Sequence, residues 1–155
     1  MTDRRSGLRG LVLRVSSALR WLPPTVARLT LGWVFLQTGW GKLHNLEKVT
    51  GFFGSLGVPA PQIMAPMTAF FEFACGLLML AGLATRVASL PIIAIMIVAL
   101  ATAKKGDIHE LSDLFGASEY LYICIALWLG AYGAGPISAD AVIAKRMDAG
   151  APPRM

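Results

Sequence analysis

Four long apolar runs dominate the chain between Thr25 and Ala134, separated by polar or Gly/Pro-rich segments. They predict membrane-spanning helices over residues 25–42, 62–83, 87–103 and 119–134, since crossing a ~30 Å hydrocarbon core takes about 20 apolar residues. Ahead of them, Leu8, Leu11, Val12, Val15, Leu19 and Leu22 recur at helical spacing with Arg9, Arg14 and Arg20 between them. This pattern predicts an amphipathic helix over residues 7–22 that lies on the membrane surface. It lacks the continuous apolar region and A-x-A site of a signal peptide, so it is expected to stay in the mature chain. Pro23-Pro24 then opens the first span. In "HNLEKVTGFFGSLGVPAP", Gly51, Gly54, Gly57, Pro59 and Pro61 disfavour a span, and an interfacial loop is expected around Phe52, Phe53 and Leu56. Ala84-Thr85-Arg86 makes a tight turn, "KKGDIHELSDLFGAS" a polar loop, and residues 141–155 a polar tail. The expected fold is all-α: a single polytopic domain over residues 1–155, built as a four-transmembrane-helix bundle.

Composition agrees with lipid as the solvent. The chain is 55% hydrophobic and 15% charged, where soluble domains carry about 25% charged residues. The 155 residues are expected to hold four spans and their loops, with no separate soluble enzyme domain. A net charge of +5 raises the question of nucleic acid, but the basic residues sit at the ends of the apolar runs, as topology requires. With the N-terminus cytoplasmic, that side holds Arg4, Arg5, Arg9, Arg14, Arg20, Arg86, Lys145, Arg146 and Arg154. The other side holds Lys42, Lys48, Lys104 and Lys105. This asymmetry favours both termini in the cytoplasm.

Four stretches carry a resemblance. "ARLTLGWVFLQTGWGKL", "GFFGSLGVPAP", "FFEFACGLLMLAGLATR" and "GAGPISAD", in that order from Ala27 to Asp140, resemble the DoxX family of small four-helix bacterial membrane proteins. The resemblance implies a multi-pass protein of the bacterial inner membrane. The family takes its name from the small membrane subunit of a thiosulfate:quinone oxidoreductase, and some relatives are linked to thiol or quinone stress. It therefore implies a membrane subunit of a quinone-linked oxidoreductase, with quinone as cofactor and a partner protein subunit completing the site. The competing readings are a non-catalytic subunit that anchors a larger complex and a small proton-coupled transporter.

Candidate chemistry centres on Glu72, the lone carboxylate in its apolar run. A charge at the bilayer centre costs roughly 2.5–3.5 kcal/mol on insertion scales, so Glu72 must be paired or protonated. On the first span Arg28, Gly32, Phe35, Gly39 and Lys42 share one helix face, whose glycines suit close helix packing. At 1.5 Å per residue, Arg28 lies roughly 6 Å in from the cytoplasmic end and Glu72 about 15 Å in from the outer end. Lys42 lies about 12 Å above Glu72 on the same count, and its stem would snorkel outward. An Arg28–Glu72 pair is therefore expected. It would either hold helix register or serve a quinone site held among the first, second and fourth spans, where Glu72 takes up a proton.

Gln37, Trp40, Lys42 and Tyr120 lie toward the outer ends of their spans. They read as an interfacial belt or as a pocket for a quinone headgroup that Phe53 helps to close. His44 and His109 fall in outer loops and read as solvated, and nothing in their spacing requires haem or metal. Should either act, His109 among Asp107, Glu110 and Asp113 is the candidate proton acceptor. Cys75 and Cys124 differ in depth by roughly 11 Å, beyond the reach of a disulfide.

Overall fold

The computed structural model describes Arg14 and residues 17–149. The expected surface helix over residues 7–22 thus falls almost wholly outside the described residues. Among the described residues there are seven helices and no strand. They are α1 (Leu22–Leu43), α2 (Leu46–Ser55), α3 (Pro61–Ala81), α4 (Thr85–Ala101), α5 (Leu111–Gly116), α6 (Ser118–Tyr132) and α7 (Ala139–Ala149). Two segments are more ordered than expected: the Gly/Pro-punctuated loop after the first apolar run contains α2, and the polar tail begins with α7. Glycine weakens a helix by about 1 kcal/mol without forbidding it, and Gly51 and Gly54 leave α2 intact.

Helix ends follow local chemistry. Pro23 and Pro24 stand in the first turn of α1 and Pro61 opens α3, where the missing N–H would have had no helical acceptor. Gly82 (φ 67°) ends α3 in the left-handed region, and the Leu83 N–H donates to the Leu78 carbonyl at 3.0 Å, a Schellman closure. Ala84 follows at φ 48°, a conformation that L residues with a Cβ adopt at a cost. Asp140 holds it there. Its carboxylate accepts the Ala84 N–H at 2.8 Å and the Thr85 N–H at 3.3 Å, and its own N–H donates to the Gly82 carbonyl at 3.0 Å. The segment before α7 thereby caps the start of α4.

Packing begins with the antiparallel pair α1 and α3. A Cβ on Gly32 would sit 2.8 Å from the Leu80 nitrogen, and one on Gly39 would sit 2.7 Å from the Phe73 Cα. A Cβ on Gly76 would come within 2.8 Å of the Leu36 Cα. The small residues thus let the two backbones touch, and the three contacts set one register in which residue 40 faces residue 72. A second pair, α4 and α6, packs beside the first. Leu31, Phe35, Met79, Ile92 and Leu129 form the shared core. The outer surface is also apolar: Trp33, Ile63, Phe70, Val87, Leu90 and Leu127 are all more than half exposed. Soluble monomers rarely expose so continuous an apolar surface.

Among the described residues, α3 is the one helix both long and apolar enough to cross a membrane, while α4 is apolar but 17 residues long. The 22-residue α1 is long enough but carries Arg28, Thr30, Gln37, Thr38 and Lys42.

Candidate functional site

A cavity of about 450 Å³ lies between α2, the first half of α3 and the second half of α4. Phe52, Phe53, Met67, Phe71, Ile95 and Ala99 supply apolar wall, and Lys42, Lys48, Thr68, Glu72 and Thr102 supply its polar groups. On α3 the lining residues Met64, Met67, Thr68, Phe71 and Glu72 repeat at i, i+3, i+4, i+7 and i+8, one stripe of the helix. On α4 the stripe is Ile95, Val98, Ala99 and Thr102. Phe71 and Val98 are themselves exposed, so the cavity opens sideways between α3 and α4.

Glu72 is the focus. Its side chain is 1% exposed, and Oε1 accepts a hydrogen bond from Lys42 Nζ at 2.5 Å. Oε2 is buried with no partner. Lys42 is 30% exposed, so its ammonium bridges the buried carboxylate and the protein surface.

The expected Arg28–Glu72 pair does not form. The depth count placed residues 42 and 62 at one level, whereas the glycine contacts set residue 42 opposite residue 70. The difference of eight residues is roughly 12 Å of helix rise, and it exchanges one cation for the other. The physical reason is overhang: the first two turns of α3 run past the end of α1 and pack against α2, with Gly54 next to Pro61. Arg28 is 4% exposed at the far end of α3. Its Nη1 donates to the carbonyls of Met79 (3.3 Å) and Leu80 (3.1 Å), and Nη2 to Ile137 (2.9 Å). A cation among the last carbonyls of a helix complements its dipole and its orphan acceptors. A Cβ at Gly82 would collide with this guanidinium. Arg28 therefore ties α1, α3 and the segment before α7 together, and it has no access to the cavity.

The other sequence candidates divide in the same way. Lys42 and Phe53 line the cavity with Glu72. Gln37 is exposed on α1. Trp40 is 55% exposed and stacks with His44 (ring centroids 4.1 Å apart) and Phe73 (5.7 Å), outside the cavity. Tyr120 packs on Phe115 at 5.3 Å, and α6 contributes nothing to the wall, a place taken by α4 rather than the fourth apolar run. His109 is exposed, and its backbone N–H, with that of Glu110, donates to Asp113 at 3.0 Å. These bonds cap α5 and hold the Asp113 carboxyl below its usual value. Cys75 is buried and Cys124 exposed, and both are free. Sequence reasoning missed Thr68, Met67 and Phe71, although the α3 stripe was available as a signal.

The family model described as DoxX matches residues 24–105, more than half of the chain. The chain belongs to the DoxX family. The match encloses every residue that lines the cavity. Among the relatives of this DoxX protein is the "Uncharacterized membrane protein Rv3486" of Mycobacterium tuberculosis, 31% identical over 82% of this chain and 86% of the relative. Another is the "Putative oxidoreductase CatD" of Bacillus subtilis, 31% identical over 63% of this chain and 68% of that protein. No solved structure matches the chain. The family, and a relative named as a membrane protein, locate this DoxX protein in a membrane. The apolar outer faces of its helices then face lipid.

Proposed function

We propose that this DoxX protein is the membrane subunit of a quinone-linked oxidoreductase and that the cavity beside Glu72 is its quinone site. In this reading α1, α3, α4 and α6 are four spans of a bundle in the bacterial inner membrane, with both termini cytoplasmic. A partner subunit that oxidises a thiol or sulfur compound completes the enzyme. One observation carries the reading: a buried carboxylate with one oxygen held by Lys42 and the other free stands at the wall of an apolar, aromatic cavity. The cavity volume falls in the range of about 300–1,000 Å³ typical of small-molecule sites. Support of a coarser kind comes from the oxidoreductase named among the relatives.

The residues fit the group. Phe52, Phe53 and Phe71 offer ring faces, the methionines flexible apolar wall, and Lys42 and Thr68 donors for a ring oxygen. Quinone, when bound, supplies an acceptor for two electrons and two protons. The chain's part is to exclude water from the ring, hold its oxygen near Lys42, and keep a carboxylate beside it for proton exchange. Because Lys42 reaches the surface, its ammonium connects that carboxylate with the water outside.

The test is to purify the protein in native lipid discs and quantify extracted quinone per chain. About one quinone per chain is expected, falling severalfold when Ala99→Trp fills the cavity. Stoichiometric partner subunits with no quinone would instead support the anchoring role, and substrate-driven proton flux in liposomes the transporter.

A further inference from the structure

The free carboxylate oxygen says more about the ligand than cavity size does. A carboxylate paired with an ammonium only accepts hydrogen bonds, and Glu72 Oε2 is cut off from water and has no protein donor. Lys42 Nζ carries three hydrogens and gives one to Oε1, which leaves it with donors to spare. The polar end of the cavity therefore has two unmet needs side by side, an acceptor for Lys42 and a donor for Oε2. A ring hydroxyl meets both: its oxygen accepts from Lys42 and its hydrogen goes to Oε2. A ring carbonyl meets the first only and turns its lone pairs toward the carboxylate.

We infer that this cavity selects the hydroxyl-bearing, reduced form of its ring ligand over the carbonyl form, with Glu72 Oε2 as the selecting group. The inference rests on the quinone reading above and specifies which oxidation state the site holds. A hydrogen bond to a buried charge, set against an unpaired one, corresponds to roughly ten- to a hundredfold in binding. At 29.6 mV per tenfold for a two-electron couple, the bound couple would sit about 30–60 mV more positive than the free one. The site would then release the oxidised form readily and retain the reduced one.

The probe is a decyl-substituted benzoquinone and its hydroquinone, titrated anaerobically into the full chain in lipid discs, with dissociation constants from calorimetry. The hydroquinone is expected to bind at least tenfold more tightly. Its dimethyl ether, which keeps the ring and loses both donors, should bind no better than the quinone. Glu72→Gln should bring the ratio to about one, because the amide supplies a donor as well as an acceptor. Equal binding of the two forms, or tighter binding of the quinone, by the unaltered protein overturns the inference and leaves the quinone site standing. Binding of neither form overturns both. The wild-type ratio and the ether decide the matter even if Glu72→Gln fails to fold.

Discussion

Replacing Lys42 by Met removes the single partner of a carboxylate that is 1% exposed. Orphaning one member of a buried ion pair costs roughly 3–5 kcal/mol. Lys42 is itself 30% exposed, so part of its attraction is already screened, and the low end, about 3 kcal/mol, is expected. Glu72→Gln keeps an oxygen for the ammonium and should cost only about 1 kcal/mol. The double variant Lys42→Met/Glu72→Met removes both charges and should return to within about 1 kcal/mol of the parent, since a buried ion pair replaced by apolar groups of similar volume is often neutral. The loss in the single variant and its recovery in the double are therefore one coupled quantity. Unfolding in mixed micelles by SDS titration, followed by helical circular dichroism, measures all three against the parent. If Lys42→Met unfolds at the parent's midpoint, Glu72 is not dependent on Lys42 and the register drawn from the glycines is wrong.

Three further outcomes follow from the same geometry. Arg28→Ala strips donors from three carbonyls and should lower stability by about 3 kcal/mol, while folded protein keeps the parent's quinone affinity; a selective loss of affinity would return Arg28 to the site. Gly39→Leu sets side-chain atoms against the Phe73 backbone and should cost at least 1–3 kcal/mol in the same titration, roughly the price of overpacking a close contact; an unchanged midpoint would mean that α1 and α3 do not touch there. Asp113 is held below its usual value by the N–H groups of His109 and Glu110. Its contribution to capping α5 is thus complete above the ordinary carboxylate value of 3.8 and lost as pH falls through the lowered one. Hydrogen exchange at those two amides, after correction for intrinsic rates, should lose protection on acidification in the parent and show no such acid step in Asp113→Asn.

Much of this molecule is legible in its residues. Runs of apolar positions give the helices their type, and the shared face of Gly32, Gly39 and Lys42 on α1 marks the side that meets α3. What the chain does not spell out is relative height. The partner of Glu72 turns on how far α3 overhangs α1, and that depends on ten residues whose glycines disguise α2. A shift of about two turns exchanged Arg28 for Lys42, and with it a structural tie for a site residue. Trp40 and Tyr120 were drawn into the expected pocket by residue type and depth alone, while their helices turn them away from the cavity. Thr68 and Phe71 went unnoticed because neither carries charge, although they stand on the same stripe as Glu72.

Photoaffinity labelling tests the central claim most directly. An azido-quinone irradiated with the protein in native lipid discs should mark α2 around Phe52–Leu56 and α3 between Met64 and Phe71, with excess unlabelled hydroquinone protecting both. Label on α6 near Tyr120, or on the Trp40 face of α1, with none on α3, would contradict the assignment of the cavity as the ligand site.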